Sequence, residues 1–375
     1  MLMMIGLLGC QPAVETQPPT PRPSATPTPL PPPTATAMPG MGGEIAFTGV
    51  VGNAVSLFVV GGDGQTPQRL TESGIVAGPR WSPDGRWLAV VTFTNAEGDN
   101  AILYALPYAG RTARIARGDW VTLTAPDGIR VLTDGPGYLP VQWLADSRAV
   151  VYVGPNPSDG GMNTVWLTSV PGGEARALTP PDGDYSTPAV RGDGAVVVSH
   201  RVDGAANLQQ VDVTGGALVD VTALTAGVVD SYPAWSPEGE RLVWFRQAAQ
   251  GAGLMVREAD GVETVLVAIA GDFAPFEPPV WSPDGTRVAY AVQMGDDLLA
   301  TEVVIVDVAT GAVTTVVTDG RDGFLSWSPD GAALVVTVAA ESPTDAGLVV
   351  VDAATGVVRN LLDRVSFSTL AGDWR

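Results

Sequence analysis

The chain contains no lysine; all 20 of its basic residues are arginine. Schiff-base chemistry on a lysine amine is thereby excluded. There is one histidine, His200, and one cysteine, Cys10. No His-x-x-x-His or Cys-x-x-Cys spacing can be assembled from these, which removes zinc and other transition-metal sites. A Ser/His/Asp triad would have to use His200, and no Gly-x-Ser-x-Gly elbow accompanies it. His200 instead reads as a solvated or locally bonded loop residue. The glycines fall at hairpin turns with no helix behind them, so a phosphate-cradling loop is missing as well. A lone cysteine forms no intramolecular disulfide. Positive charge is scarce, 20 Lys+Arg against 40 Asp+Glu for a net −20. Nucleic acid is excluded as a partner on that ground, because phosphate binding needs a basic surface.

What the chain has in abundance is repetition. Trp-Ser-Pro-(Asp/Glu)-Gly starts at Trp81, Trp235, Trp281 and Trp327. A weaker copy starts at Trp143, a degenerate one at Val190, and Trp374 falls at the next expected place. The intervals are 62, 47, 45, 46, 46 and 47 residues. A period near 46 in a Val-, Thr- and Gly-rich chain predicts an all-β propeller of four-stranded blades. Within a unit, the phrase ends an inner strand and turns through Pro and Gly, whose preferred φ values suit that turn. Second and third strands follow, then a hairpin such as Asp63-Gly64 or Gly215-Gly216. Fourth strands read Gln68–Thr71, Arg130–Thr133, Arg176–Thr179 and Thr222–Thr225. Residues 44–71 supply three strands without a preceding phrase, and 367–374 supply an inner strand with nothing after it. Joining the two closes the ring and leaves no open edge. The expectation is seven blades, with six or eight as alternatives. The six repeated turn acids, Asp84, Asp146, Asp193, Glu238, Asp284 and Asp330, are spread around that ring. They read as turn chemistry rather than as a carboxylate pair.

A Trp-Ser-Pro-Asp-Gly phrase followed by an apolar strand, a hairpin and a Leu-Thr strand resembles the WD-repeat-like propeller units of the TolB family. The resemblance covers roughly residues 43–375. It implies the propeller fold strongly and function weakly, since such blades occur in periplasmic binding proteins, lipoproteins and the propeller domains of peptidases. TolB-like proteins carry an α/β domain ahead of a six-bladed propeller. This chain has a proline-rich segment there and an expected seven blades.

The N-terminus resembles a bacterial lipoprotein signal, with Leu7-Leu-Gly-Cys10 as the lipobox and Cys10 as the lipidated residue. Residues 1–9 are then a signal peptide, too short to span a bilayer and without a positive n-region. Residues 10–42, dominated by Pro, Thr and Ala, form an extended disordered tether, and 43–375 the propeller. An anchor, a tether and a compact domain describe an extracytoplasmic protein held at the cell membrane by its lipid alone.

Loops between second and third strands, and between blades, gather on the face opposite the Trp phrases. They carry Asp184, Asp230 and Asp322 among other acids, Glu277 included. Aromatics precede several inner strands: Tyr138, Tyr185, Tyr232, Phe276 and Phe324. These eight residues, Glu277 aside, form the candidate channel mouth, suited to a basic or amphipathic peptide or to calcium held by carboxylates. The plainer alternative is a solvated acidic surface with aromatics packed between blades. The long first interval places an insertion at 111–128, locally basic through Arg111, Arg114 and Arg117, with Trp120–Thr124 as an added hairpin. The sequence thus supports a monomeric, non-catalytic module binding a protein, peptide or glycan in the cell envelope. The alternative is a calcium-dependent propeller hydrolase or lyase using loop carboxylates.

Overall fold

The structure is a computed structural model. It describes residues 42–375 apart from 52–53, 65, 73–75, 94–100, 125–127, 130–140, 156–161, 182, 271–272, 276, 295–300, 317–320, 340–346 and 363–371. Among the described residues the only helix is one 3-10 turn, Arg117–Asp119, and the rest of the regular structure is strand.

The strands form six sheets. In four of them an inner strand leads to three more in antiparallel order; Val76–Trp81, Trp87–Phe93, Ala101–Pro107 and Val121–Thr122 are an example. A fifth sheet has two short inner strands, Phe273–Pro275 and Val280–Trp281, both pairing with Arg287–Met294. The sixth has eight strands and runs from Asp184–Val190 to Glu263–Ile269. Its only parallel pairing is a single position, Ala206 opposite Val229. The architecture is an all-β propeller.

Each phrase is a small hydrogen-bonded unit. In the copy at Trp281 the Ser282 hydroxyl donates to Asp284 at 2.6 Å and accepts from the Arg287 backbone N–H at 2.9 Å. Asp284 also accepts from the Thr286 N–H, and Gly285 takes φ 69°, a left-handed value that glycine adopts without strain. The copies at 81 and 327 repeat the serine contacts. The acids are thereby spent on turns. The indole points to the preceding blade: Nε1 of Trp81, Trp143, Trp281 and Trp327 donates to the carbonyl just before the previous phrase, namely that of Asp373, Arg80, Ala234 and Val280. Arginines add a second stitch. Arg241 and Arg287 lie 4.9 and 5.0 Å from the Trp281 and Trp327 ring centres, and donate to the carbonyls of Gly285 and Gly331. Each such cation–π contact stabilises by about 0.5 to 2 kcal/mol.

Fourth strands are fixed by a buried threonine. Oγ1 of Thr71, Thr124, Thr179 and Thr222 accepts the backbone N–H of Leu57, Leu103, Val165 and Leu208 in the third strand. This corrects two expected boundaries. The strand expected at 130–133 lies outside the described residues, and the pairing position is taken by Val121–Thr122, opposite Ala105 and Tyr104. Val219–Asp220, rather than Thr222–Thr225, is the strand that pairs with Ala205–Asp212.

The expected added hairpin at Trp120–Thr124 is therefore an ordinary fourth strand, and part of the extra length precedes it. That part seals two blades together: the Ile115 N–H donates to the Leu70 carbonyl, and Ile115 and Trp120 are buried with Leu57 and Leu70. The three arginines are all engaged, Arg111 with Glu44, Arg114 with Glu72, and Arg117 over the Tyr104 and Trp120 rings.

The ring closes where the sequence requires it. Gly372–Trp374 pairs with Glu44–Val51, with Ile45 opposite Trp374. Arg375 pairs with Glu44, donates to the Gly85 carbonyl and stacks 4.2 Å from the Trp81 ring centre.

Candidate functional site

Inner strands carry the site because they line the axis. Four of them slip register two or three residues before the phrase, between Ala77 and Arg80, Ser186 and Ala189, Ser231 and Ala234, and Asp322 and Leu325. Within three of these slips a residue takes a positive φ: Gly78 at 57°, Thr187 at 46° and Tyr232 at 54°. Thr187 and Tyr232 are side chains for which that region is strained. Such bulges re-aim the residues that follow. The residue just before each phrase, Arg80, Gln142, Ala189, Ala234, Val280, Ser326 or Asp373, lines a common axial cavity of about 490 Å³. Five of the phrase tryptophans and Pro83, Pro237 and Pro283 of the turns complete its wall. The cavity therefore lies toward the Trp-phrase end of the axis, away from the face that the loop acids had indicated.

Three ionisable groups enter it. Arg80 is set by the strand Val76–Trp81; it donates to the Pro79 carbonyl at 3.3 Å, and its guanidinium lies 5.9 Å from the centre of the Phe324 ring. Asp373 accepts the Trp81 N–H at 2.7 Å on one oxygen and the Ser326 hydroxyl at 3.2 Å on the other. Desolvation raises its pKa, against the opposing pull of Arg80 and those donors. Glu277 is 3% exposed, and its Oε1 has no hydrogen-bond partner among the described residues. Burial pushes its carboxyl up to about 8, with Arg80 and the Leu325 backbone N–H pulling the other way. Sequence reasoning placed Glu277 among the solvated loop acids and passed over Arg80 and Asp373. The signal was available in register: of the seven residues preceding the phrase positions, only these two are charged.

The expected channel-mouth residues fare differently. Tyr185, Tyr232 and Phe324 are buried side chains in the hydrophobic clusters, with Tyr185 stacked on His200 at 4.8 Å. His200 itself lies within the strand Ala195–Val202 rather than in a loop. Asp184 accepts the backbone and side-chain N–H groups of Asn163. Asp230 is fully buried and held by a two-bond ion pair with Arg246, at 2.7 and 2.8 Å. These described residues are engaged by contacts within the fold. Tyr138, Phe276 and Cys10 lie outside the described residues, and Asp322 is placed only by its backbone, opposite Val338. Among the described residues no three His, Cys, Asp or Glu side chains cluster where a metal ion could be held.

No family model matches the chain. Over 156 residues, 36% of its length, it is 33% identical to a protein of Bacillus subtilis (strain 168) described as the uncharacterized peptidase YuxL, and it spans 22% of that protein. Among solved structures, TolB from Acinetobacter baumannii superposes with a TM-score of 0.52 at 14% identity, over 88% of this chain and 66% of that one. An oligogalacturonate lyase from Vibrio parahaemolyticus gives a TM-score of 0.58 at 15% identity, over 86% of each chain. Likeness at this level of identity is likeness of fold, and the fold is that of the TolB-like β-propellers.

Proposed function

We propose that this TolB-like propeller is a non-catalytic binding module that takes a peptide segment of an envelope protein into its axial cavity from the Trp-phrase end. The cavity carries the reading. Its size falls in the range of ligand sites, and its wall of indoles and prolines with a few polar groups is the composition of a recognition surface. The count of seven blades draws support from six sheets, five of them the size of one blade, if the eight-stranded sheet is divided at its single parallel position into two four-stranded halves. Lipidation at Cys10, cleavage of residues 1–9 and a tether over 10–42 would hold the propeller outside the cytoplasmic membrane as a monomer. The net charge of −20 supports a protein rather than a nucleic-acid partner.

A plug tests the cavity. Ala234→Trp fills it from a position where an alanine lines the wall. Peptides selected on the wild-type protein from a displayed library should lose binding to a folded Ala234→Trp variant. Equal binding to both would reject the cavity as the site. Mass spectrometry of the mature protein tests the anchor, where an unmodified Cys10 in the membrane fraction refutes it.

The lyase that matches over 86% of each chain favours a second reading, a propeller enzyme using a cation such as calcium held by loop carboxylates. The peptidase relative keeps catalysis of another class open, although this chain spans only 22% of it. Incubation with oligogalacturonate and calcium or manganese separates the lyase reading from the first, because accumulation of unsaturated products would replace the binding module with an enzyme.

A further inference from the structure

We infer that the axial cavity is a receptor for the free C-terminal carboxylate of a peptide, held between the Arg80 guanidinium and Oε1 of Glu277. This deepens the binding reading above and rests on it.

Two side chains in one cavity carry the inference. Arg80 forms no ion pair among the described residues, and its one hydrogen bond there is the 3.3 Å contact to Pro79. A guanidinium has five N–H donors in a planar fork matched to a carboxylate, and Arg80, which lines the cavity, leaves most of that capacity unused. Glu277 lines the same cavity with a buried Oε1 that nothing satisfies. A buried polar atom without a partner keeps its desolvation cost uncompensated, which a ligand atom there would recover.

The sign of the ligand follows from the groups facing Glu277. These are Arg80, Asp373 and the Leu325 N–H, with Gln142 and Ser326 as neutral neighbours in the wall. With its pKa near 8, Glu277 carries its proton at neutral pH. The Leu325 N–H serves the other oxygen, so Oε1–H is a donor in need of an acceptor. Asp373 accepts from Trp81 and Ser326 instead, and Oε1 of Glu277 has no hydrogen-bond partner among the described residues. A guanidinium and a carboxylic acid O–H converging on one space select an anion with two oxygens.

The rest of the molecule selects which carboxylate. At net −20 the protein repels a polyanion such as a polyuronate, whereas one negative charge ending a neutral chain meets the least opposition. A chain end also enters an axial channel directly, where an internal segment must double back. The indoles of Trp81, Trp143 and Trp281 offer apolar walls to the residues preceding that end.

The test uses an N-acetyl tripeptide library, prepared as free acids and as C-terminal amides, with tri-galacturonate as a third probe. The free acids should bind roughly tenfold or more tighter than the matching amides, the gain of a charge-assisted pair. Arg80→Gln should abolish that preference. Glu277→Gln, whose amide keeps a donor, should retain it while losing the fall in affinity that the wild type shows as pH rises through about 8. Equal binding of acids and amides by the wild-type protein overturns the carboxylate inference and leaves the binding module standing. Binding of tri-galacturonate alone, or enrichment of no peptide in either form, overturns both. The acid–amide comparison is made on the wild-type protein, so its outcome does not depend on a variant folding.

Discussion

Asp284 and Glu277, seven residues apart, are held at opposite ends of the carboxylate range. The Ser282 hydroxyl, then the Thr286 N–H, bring Asp284 down to about 2, while burial brings Glu277 up to about 8. Their effects on stability have opposite signs. The Asp284 contribution is complete above its ordinary value of 3.8 and fades as pH falls through about 2. The Glu277 contribution is complete below 4.5 and is lost as pH rises through about 8. Thermal denaturation across that upper window should therefore show the wild type losing ground to Glu277→Gln, by a few kcal/mol at most. Parallel curves would mean that Glu277 is solvated in the native protein. The sequence placed Glu277 in a loop, and it does lie between strands. Its burial comes from the convergence of inner strands, which no local pattern expresses. Arg80 and Asp373 were legible in principle, because the phrase supplies the register that singles them out.

At the scale of strands, the buried threonine settles what the pattern left open. The irregular blade holds two Leu-Thr pairs, Leu123-Thr124 within the insertion and Leu132-Thr133 after it, and a later blade offers Thr222 and Thr225 three residues apart. Composition cannot choose between such copies, since the choice depends on which threonine reaches a third-strand N–H. Thr124→Val and Thr222→Val each leave a buried N–H, of Leu103 or Leu208, without its acceptor. Each should lower stability by about 1 to 3 kcal/mol in urea denaturation. Thr225→Val, at an exposed position, should change it little. If all three behave alike, the threonine contact is not what fixes the fourth strand. The inner strands show the converse limit. The repeated phrase revealed that they exist, but not the register shifts around Gly78, Thr187 and Tyr232, nor that Tyr185, Tyr232 and Phe324 are buried.

Over the whole molecule, periodicity was the dominant signal and it was sufficient for architecture. The fold class and the joining of residues 372–374 to 44–51 were readable because blades repeat and an unclosed ring exposes an edge. The site was less legible, because a cavity on the axis belongs to no single repeat. Deleting residues 372–375 removes the partner strand of Glu44–Val51, the carbonyl that Trp81 Nε1 donates to, and the Arg375 stitch. The truncated protein should unfold at lower urea and self-associate through the exposed edge, as measured by sedimentation. A monomer of unchanged stability would show that closure contributes nothing.

That closure also sets a schedule. Arg375 and Glu44 are 331 residues apart in the chain, so the first strand, paired early with Ala54–Gly61, waits for its second neighbour until that stretch has been made. At ribosomal speeds that wait lasts roughly 15 to 65 s. Meanwhile earlier blades can fold on local contacts, and the last step joins positions at almost the greatest separation the propeller allows. Assembly is thus a race between the arrival of three residues, Gly372 to Trp374, and any other strand that finds the waiting edge first.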